Sequence, residues 1–264
     1  MTDTSFIDID MLDYNGEKEK KIFQNVYEFA TENVSGYFSK LDLCDKTLLT
    51  VGSSLDQAFN ALVLGVKNVV VYDINCNTNR FYKIKKNLLL NNSRGNFIKA
   101  VKQVDSIPIA PERYPIKDII RMNNYLQNDD NYNLLRERLI VDDIEIINGD
   151  IFDMNRFLDN RKFDRITFSN VLQYLELFAN NKDVYRFLAD NFSVWKDHLN
   201  DDGILQLFYL YSFSSDDLKC NNHNVFCYNM SNVINTLGVS YLGIDWIPNF
   251  NNVIDDAIVT YKKR

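Results

Sequence analysis

Short apolar runs alternate with amphipathic stretches along most of the chain, and this alternation predicts its elements. Residues 47–52 (TLLTVG) and 68–73 (NVVVYD) are apolar runs typical of strands that are buried on both faces. Each is followed by a stretch with apolar residues at helical spacing, at 53–65 and at 79–92. Two strand–helix units in immediate succession predict a parallel sheet with right-handed crossovers. Ser53 or Ser54 is expected to cap the first helix, and Gly65 to end it.

A further helix is predicted ahead of the sheet. Residues 17–34 place four apolar side chains on one stripe of a helix, whereas the lysines and glutamates fall elsewhere: Ile22, Val26, Phe29 and Ala30. We therefore expect an N-terminal helical segment over about residues 1–40.

Residues 93–140 interrupt the alternation of strands and helices. Three of the four prolines stand here among charged and aromatic residues, and no strand pattern is visible: Pro108, Pro111 and Pro115. This stretch is interpreted as an insertion that is partly helical around residues 116–139.

The alternation then resumes to the end of the chain. Strands are predicted at 143–150, 163–170, 203–211, 239–247 and 256–263, and helices at about 182–199 and 229–238. A Pro-Asn-rich turn at 248–252 joins the last two strands and predicts an antiparallel pair that finishes the sheet. The whole chain, residues 1–264, is expected to form one domain, because 46% apolar residues provide enough material for one large core.

The charge balance narrows the range of partners. The 29 basic and 36 acidic residues give a net charge of −7, which argues against a field that would attract nucleic acid. The cysteines form no CxxC pair, and the two histidines do not extend them into a zinc pattern, so free thiols and no metal are expected: Cys44, Cys76, Cys220 and Cys227. The N-terminus lacks the features of a signal peptide, and no apolar run is long enough to span a membrane, so a cytoplasmic protein is expected.

Candidate ligand-binding residues follow the first two predicted strands. Gly52 lies in a turn of small residues through which backbone N–H groups can approach a ligand. Asp73 follows it by 21 positions, the spacing of the acidic residue that accepts hydrogen bonds from ribose hydroxyls in such folds. Asp73 could instead cap the next helix, and Asn75 could cap that helix or line the pocket.

Further candidates follow the later strands. Asp150 ends the third strand, where its carboxylate can accept a hydrogen bond from an adenine amino group while Ile151 or Phe152 packs on the ring; the alternative is a turn or cap aspartate. Ser169 and Asn170 close the fourth strand, where they could hold the amino-acid end of a cofactor or orient a substrate. Tyr174 lies one helical turn beyond Asn170, where it could line the site or belong to the core.

The order of these residues resembles the class I S-adenosylmethionine (SAM)-dependent methyltransferase superfamily, over roughly residues 40–262. The motifs that carry the resemblance are TVGSSLDQAFNALVLGVKNVVVYDIN, NGDIFD and FDRITFSNVLQYL. It implies an α/β fold: a Rossmann-like, seven-stranded, mostly parallel sheet flanked by helices, with a reversed final strand. It also implies SAM as the cofactor, bound by Gly52, Ser53, Ser54, Asp73, Ile74, Asn75, Asp150, Ile151, Ser169 and Asn170.

A more distant resemblance concerns the group that is transferred. SSLDQA, YDIN and FSNVLQYL are similar to the 3-amino-3-carboxypropyl transferases that begin betaine-lipid synthesis, which move a different carbon of SAM. The loop after Gly52 also departs from the usual methyltransferase pattern, because Ser54 and Asp56 stand around the places of its second and third glycines.

Three functions are consistent with this pattern. The first is a SAM-dependent methyltransferase acting on a small metabolite or biosynthetic intermediate, since the chain lacks nucleophile motifs such as GxSxG and SAM itself carries the activated group. The second is an aminocarboxypropyl transferase that uses SAM, and the third is a non-catalytic protein that binds SAM or a nucleoside. No catalytic base is identified.

Contacts to a small-molecule acceptor are expected from three residues. Arg113, in the inserted segment, could bind an anionic group of the acceptor if the segment folds over the pocket. A surface excursion or an oligomer contact is the alternative role for that segment. Tyr14 is a further candidate for a lid by resemblance to the family, and Tyr174 could orient the acceptor.

Overall fold

Seven strands form one sheet at the centre of the molecule. The computed structural model describes residues 25–52, 54–110, 114–175, 179, 183–209, 230–238, 242–248 and 255–264. In chain order the described strands are β1 (Val26–Tyr27), β2 (Thr47–Thr50), β3 (Asn68–Asp73), β4 (Ile109–Ala110), β5 (Glu145–Asn148), β6 (Phe163–Ser169), β7 (Leu199–Tyr209), β8 (Leu242–Pro248) and β9 (Asp255–Lys262). The order in the large sheet is β5-β3-β2-β6-β7-β9-β8, and β1 and β4 form a separate parallel pair.

Helices connect most of these strands. The described ones are α1 (Val34–Phe38), α2 (Asp56–Val63), α3 (Thr78–Asn91), α4 (Arg94–Val101), α5 (Ile116–Met122), α6 (Asn124–Gln127), α7 (Asp129–Val141), α8 (Asn155–Leu158), α9 (Val184–Asp197) and α10 (Met230–Leu237). No helix of the described segments is both long enough and apolar enough to cross a membrane.

The two faces of the sheet carry separate apolar clusters. Successive residues of a strand point to opposite faces, so Leu48 packs in a cluster with Phe59 of α2, whereas Leu49 packs in a cluster with Trp195 of α9. Both faces are therefore covered by helices, which explains why the central strands read as continuous apolar runs.

One strand near the far edge of the sheet, β9, runs in the opposite direction to the others. Strands β5, β3, β2, β6 and β7 are parallel, and β9 runs antiparallel to both β7 and β8. The predicted Rossmann-like, seven-stranded sheet with a reversed final strand is thus confirmed. The one-domain organisation stays a prediction.

The helix predicted over residues 17–34 is wrong in its described part. Val26 and Tyr27 form β1, pairing with Ile109 and Ala110, and the first helix begins only at Val34. Because a ladder to a distant segment satisfies the backbone groups here, tertiary pairing overrides the helical spacing. Phe29 and Ala30 are buried as the stripe predicted, and Ile22 lies outside the described residues.

The insertion between α3 and β5 is more regular than expected. Helices α5, α6 and α7 confirm the helical stretch predicted around residues 116–139. Two features were not expected: α4, and the short strand β4, which pairs with β1 although no strand pattern is visible in the sequence.

The start of α2 also differs from the expectation. Leu55 occupies the N-cap position in a left-handed conformation with φ +67° and makes no side-chain cap, so neither serine is the N-cap. The hydroxyl of Ser54 accepts a hydrogen bond from the backbone N–H of Asp56 at 3.3 Å. The left-handed turn carries the Leu55 side chain into the core, where it is fully buried. The helix ends at Val63, and Gly65 follows with φ +85°, as predicted.

Cys44 and Cys76 are free and exposed, which confirms the expectation of free thiols for these two residues. Cys220 and Cys227 lie outside the described residues.

Candidate functional site

The strand register brings the predicted ligand-binding residues to one edge of the sheet. Thr50 of β2 pairs with Val71 of β3 and with Thr167 of β6, so Gly52, Asp73 and Ser169 follow at the same level. Asp73 in turn pairs with Asn148 of β5, so Asp150 comes two residues beyond that level. Carboxyl edges of parallel sheets are where open α/β folds bind ligands.

Gly52 ends the first of these strands in a conformation that requires glycine. Its φ is +147°, which residues with a side chain rarely adopt. The nearest atom to an added Cβ would be Gln57 Cδ at 3.7 Å, so it is the backbone conformation that requires glycine here. Its backbone N–H donates a hydrogen bond to the carboxylate of Asp73.

Asp73 is a half-buried carboxylate at the centre of the edge. Burial raises its pKa to about 6, against hydrogen bonds from the backbone N–H groups of Asn75 and Gly52 that lower it. The Asn75 N–H lies 2.8 Å from Asp73 Oδ1. Asp73 does not cap α3, since the N-cap of that helix is Asn77.

The side chain of Asn75 holds the turn that follows β3. Its Nδ2 donates to the Asn25 carbonyl at 2.7 Å, and its Oδ1 accepts from the Asn77 N–H at 2.9 Å. Asn75 therefore ties the N-terminal segment to this turn, and Ile74 beside it is half-buried. Cofactor contacts by these two residues stay a prediction.

Asp150 begins a short 3-10 turn over Ile151–Asp153. Its Oδ1 accepts a hydrogen bond from the Phe152 N–H at 2.9 Å, so it caps this turn. Ile151 is buried and Phe152 is half-buried, with its ring tilted against the rings of Phe187 and Trp195 at centroid distances of 5.0 and 5.9 Å. The indole N–H of Trp195 donates to the Ile151 carbonyl at 2.9 Å and fixes the turn. An additional role of Asp150 toward adenine stays a prediction.

Ser169 and Asn170 end β6. Asn170 is in a left-handed conformation with φ +58°, and its N–H donates to the Phe208 carbonyl at 3.1 Å. The hydroxyl of Ser169 instead takes part in a buried polar network, in which it donates to Glu32 Oε1 at 2.8 Å.

That network is centred on Glu32, a residue that no sequence pattern indicates. Glu32 precedes α1, is only 6% exposed, and also accepts from Gln57 Nε2 at 2.8 Å. Gln57 accepts in turn from the hydroxyl of Thr50. Burial raises the pKa of Glu32, although the hydrogen bonds from Ser169 and Gln57 lower it. We call these four residues, Glu32, Thr50, Gln57 and Ser169, the Glu32 network.

A second buried cluster lies beside it and contains a charge pair. Lys85 Nζ lies 2.7 Å from Asp56 Oδ1, and neither side chain is exposed to solvent. Lys85 also donates to the carbonyl groups of Glu28 and Ser54, and the Tyr125 hydroxyl donates to Asp56 Oδ1 at 2.7 Å. We call Asp56, Lys85 and Tyr125 the Asp56 cluster.

The sequence contains a signal for this cluster. Lys85 stands four residues after Phe81 and four before Leu89, so a lysine lies on the apolar stripe of α3. A lysine on a buried stripe requires a buried partner. By contrast, nothing local marks Glu32, because its partners lie far away in the chain.

Several predicted residues fall outside the described part of the structure. Ser53, Arg113 and Tyr14 are among them, and so is the side chain of Tyr174, whose backbone belongs to the 3-10 turn Val171–Tyr174. Their predicted roles are not tested.

The residues at the carboxyl edge fit a cofactor that carries ribose hydroxyls and positive charge. Asp73 offers a half-buried acceptor beside the Gly52 turn, and two further carboxylates, Glu32 and Asp150, lie on the same edge. Acceptor oxygens suit hydroxyl and ammonium groups, and acidic residues complement a sulfonium. SAM presents all three of these groups.

Comparison with known proteins supports the fold. No protein-family model matches the chain, and no curated protein matches its sequence. The solved glycopeptide N-methyltransferase MtfA, in complex with S-adenosyl-L-homocysteine, superposes with a TM-score of 0.52 at 10% identity, over 91% of this chain and 92% of MtfA.

Two other solved structures are similar at lower scores. The N-methyltransferase NodS from Bradyrhizobium japonicum WM9 matches with a TM-score of 0.44 at 14% identity, over 88% of this chain and 83% of NodS. TrmN from Thermus thermophilus matches with a TM-score of 0.43 at 12% identity over 87% of this chain, which spans about half of TrmN, 48%. The strand order and the match to MtfA together show that the chain has the fold of the class I SAM-dependent methyltransferases.

Proposed function

We propose that this protein is a SAM-dependent methyltransferase that acts on a small molecule. The observation that carries the proposal is the half-buried carboxylate of Asp73, held by the N–H of Gly52 at the carboxyl edge of a methyltransferase-like sheet. A carboxylate in this place accepts hydrogen bonds from the two hydroxyls of a ribose.

The edge divides into three parts around such a cofactor. Asp73 binds the ribose, and Ile74 and Asn75 follow it on the same turn. Asp150 and Ile151 lie on the β5 side and bind the adenine. The Gly52 turn with Ser54, and the end of β6 with Ser169 and Asn170, lie on the other side and bind the amino-acid end. We assign Ser53 to the same part from its position in the sequence.

When bound, SAM supplies an activated methyl group on a sulfonium, so the protein has to hold the acceptor in line with it and exclude water. This requirement is consistent with a site that presents acceptor oxygens, in a chain whose sequence contains no covalent-nucleophile motif such as GxSxG. Arg113, Tyr14 and Tyr174 are the proposed contacts to the acceptor, with Arg113 binding an anionic group. A net charge of −7 favours a small acceptor over a nucleic acid.

The cofactor assignment is tested by calorimetry with SAM and S-adenosyl-L-homocysteine. Asp73→Asn is expected to weaken both affinities about tenfold or more, because a hydrogen bond to a charged acceptor is lost for a neutral one. Asp130→Asn, which neutralises an exposed carboxyl on α7, serves as the matched control. Failure of the native protein to bind either nucleoside would refute the assignment.

The pH dependence of binding provides a second measurement. The ionised form of Asp73 is the better acceptor, and its pKa is raised to about 6. The affinity for S-adenosyl-L-homocysteine should therefore increase from about pH 5 to about pH 7, and Asp73→Asn should remove this part of the increase.

The transferred group is tested by mass spectrometry of the spent cofactor. Methyl transfer leaves S-adenosyl-L-homocysteine, whereas aminocarboxypropyl transfer leaves methylthioadenosine. Binding without either product, over a panel of small acceptors, would indicate a protein that binds SAM without turning it over.

A further inference from the structure

Glu32 is a buried carboxylate at the ligand-binding edge of the sheet. It is 6% exposed, and both hydrogen bonds to its Oε1 come from neutral groups, Gln57 Nε2 and Ser169 Oγ. Its Oε2 accepts from the hydroxyl of Thr31 at 3.2 Å. Ser169 belongs to the predicted cofactor site, so Glu32 lies directly behind that site.

No cation of the described segments forms an ion pair with Glu32. The carboxylate of Asp56 acts on Glu32 and raises the pKa of Glu32 further, and Asp56 is itself paired with Lys85. A buried carboxylate without a cation is costly, because hydrogen bonds from neutral donors replace only part of its hydration. Such a residue suits a ligand that brings the missing positive charge.

The geometry selects among cations. A guanidinium binds a carboxylate best through both oxygens in a planar fork, and here Oε1 already accepts two hydrogen bonds. An ammonium is a compact charge that needs single acceptors, and Oε2 has an acceptor site left beyond Thr31. A metal ion is disfavoured because the described residues contain no group of three or more His, Cys, Asp or Glu that could hold one.

We infer that Glu32 binds an aliphatic ammonium group of a ligand. The site lies beside Gln57 and beside Ser169, the last residue of β6. The inference deepens the proposed function and rests on it. The ammonium comes from one of two sources: the amino-acid end of the SAM cofactor, or an amine of the acceptor molecule. In both cases Glu32 balances the ligand's charge inside the protein.

The first arm of the test is a cycle of binding measurements by calorimetry. Native protein and Glu32→Gln are titrated with S-adenosyl-L-homocysteine and with its deaminated analogue, which keeps the carboxylate and lacks only the amino group. If the cofactor supplies the ammonium, Glu32→Gln weakens binding of S-adenosyl-L-homocysteine about tenfold and leaves binding of the analogue unchanged. Glu137→Gln, an exposed carboxyl on α7, is the matched control and changes neither affinity.

The second arm uses n-butylammonium chloride as the probe, added to protein saturated with S-adenosyl-L-homocysteine. If the acceptor supplies the ammonium, the probe raises the melting temperature of the native protein and not that of Glu32→Gln, with equimolar sodium chloride as the reference. Glu32→Asp, which keeps the charge, should retain part of the effect in whichever arm is positive. If the role of Glu32 is purely structural, Glu32→Gln should weaken binding of the deaminated analogue as much as binding of S-adenosyl-L-homocysteine.

The outcomes separate the two claims. If native protein binds S-adenosyl-L-homocysteine but Glu32→Gln behaves like native protein in both arms, or weakens both nucleosides equally, the inference about Glu32 is overturned and the proposed function stands. If native protein binds neither nucleoside, the proposed function is overturned and the inference with it.

Discussion

Two buried carboxylates lie near the start of α2, and within the described segments only one of them is paired with a cation. Asp56 is fully buried and lies 2.7 Å from the ammonium of Lys85. Glu32 is almost as deeply buried and receives hydrogen bonds from neutral groups. A buried ion pair is costly to break, so Asp56 has a structural role. A buried carboxylate without a cation, such as Glu32, is available to a cationic ligand.

Hydrogen bonds connect the Asp56 cluster to the Glu32 network through the first turn of α2. Asp56 accepts a hydrogen bond from the backbone N–H of Ala30, and the next residue of α2, Gln57, donates to Glu32. The first turn of α2 therefore holds the segment that precedes α1 at two points. We expect substitutions in the Asp56 cluster to lower the free energy of unfolding. Substitutions in the Glu32 network should instead alter ligand binding and the pH dependence of stability.

The largest effect is expected from Lys85→Met. The substitution leaves Asp56 charged and buried with only hydrogen bonds, so the free energy of unfolding should fall by about 3–5 kcal/mol. Urea denaturation followed by circular dichroism measures this change. The double variant Asp56→Asn/Lys85→Met should recover part of the loss, since the unpaired charge is removed as well.

The adjacent lysine is the control for this experiment. Lys86 pairs with Asp143 at 2.9 Å, but the side chain of Asp143 is 75% exposed. Lys86→Met should therefore cost less than about 1 kcal/mol. Equal losses for Lys85→Met and Lys86→Met would mean that the buried pair contributes no more to stability than the exposed one.

Tyr125→Phe should have the next largest effect. Its hydroxyl donates to Asp56 Oδ1, and burial together with the charge of Asp56 raises the pKa of the phenol, which stays a donor at all working pH values. Loss of a hydrogen bond to a charged acceptor should cost about 1.5–3 kcal/mol in the same assay. Tyr132→Phe removes bonds to two neutral carbonyls and should cost less, about 0.5–1.5 kcal/mol.

Glu32→Gln should act in the opposite direction. Above the folded pKa of Glu32 the native carboxylate is ionised and buried without a cation, so in that pH range its replacement by a neutral amide of the same shape is expected to stabilise the ligand-free protein by about 0.5–2 kcal/mol. Chemical denaturation of both proteins across pH measures the difference. A loss of stability that is the same at every pH would contradict this interpretation.

The sign of the pH dependence follows from the raised pKa of Glu32. The folded state binds the proton more tightly than the unfolded state, so native protein has its full stability below the ordinary glutamate pKa and loses part of it as pH rises through the folded value. The advantage of Glu32→Gln should therefore grow with pH and level off above the folded value. Asp73, with its pKa raised to about 6, contributes in the same direction in both proteins and cancels in the difference.

The sheet and its ligand-binding edge could be predicted from the sequence for clear physical reasons. Strands buried on both faces appear as unbroken apolar runs, and parallel connectivity places Gly52, Asp73 and Ser169 at one level. The reversed β9 was predictable because a Pro-Asn-rich turn joins two strand patterns.

Other features depended on contacts between distant parts of the chain. Residues 25–33 have helical spacing, yet β1 forms because β4 offers a ladder to it. The Asp56 cluster draws on three separate segments, and only the position of Lys85 on an apolar stripe indicated it. Glu32 left no local signal, since its partners Gln57 and Ser169 come from α2 and β6.

Ser169→Ala should produce the smallest change and the most specific one. Gln57 still donates to Glu32 Oε1 after the substitution, so the loss of stability at neutral pH should stay below about 1 kcal/mol. The Ser169 hydroxyl favours the ionised form of Glu32, however, and its removal should raise the pKa of that carboxyl further. The pH range in which the protein loses stability relative to its Glu32→Gln counterpart should then move upward in the Ser169→Ala variant.

The control for this prediction is Ser169→Ala in the Glu32→Gln background. There the substitution should have no pH-dependent effect, because the carboxyl that responds to the hydroxyl is gone. A pH-dependent effect that persists would place the titrating group elsewhere in the network.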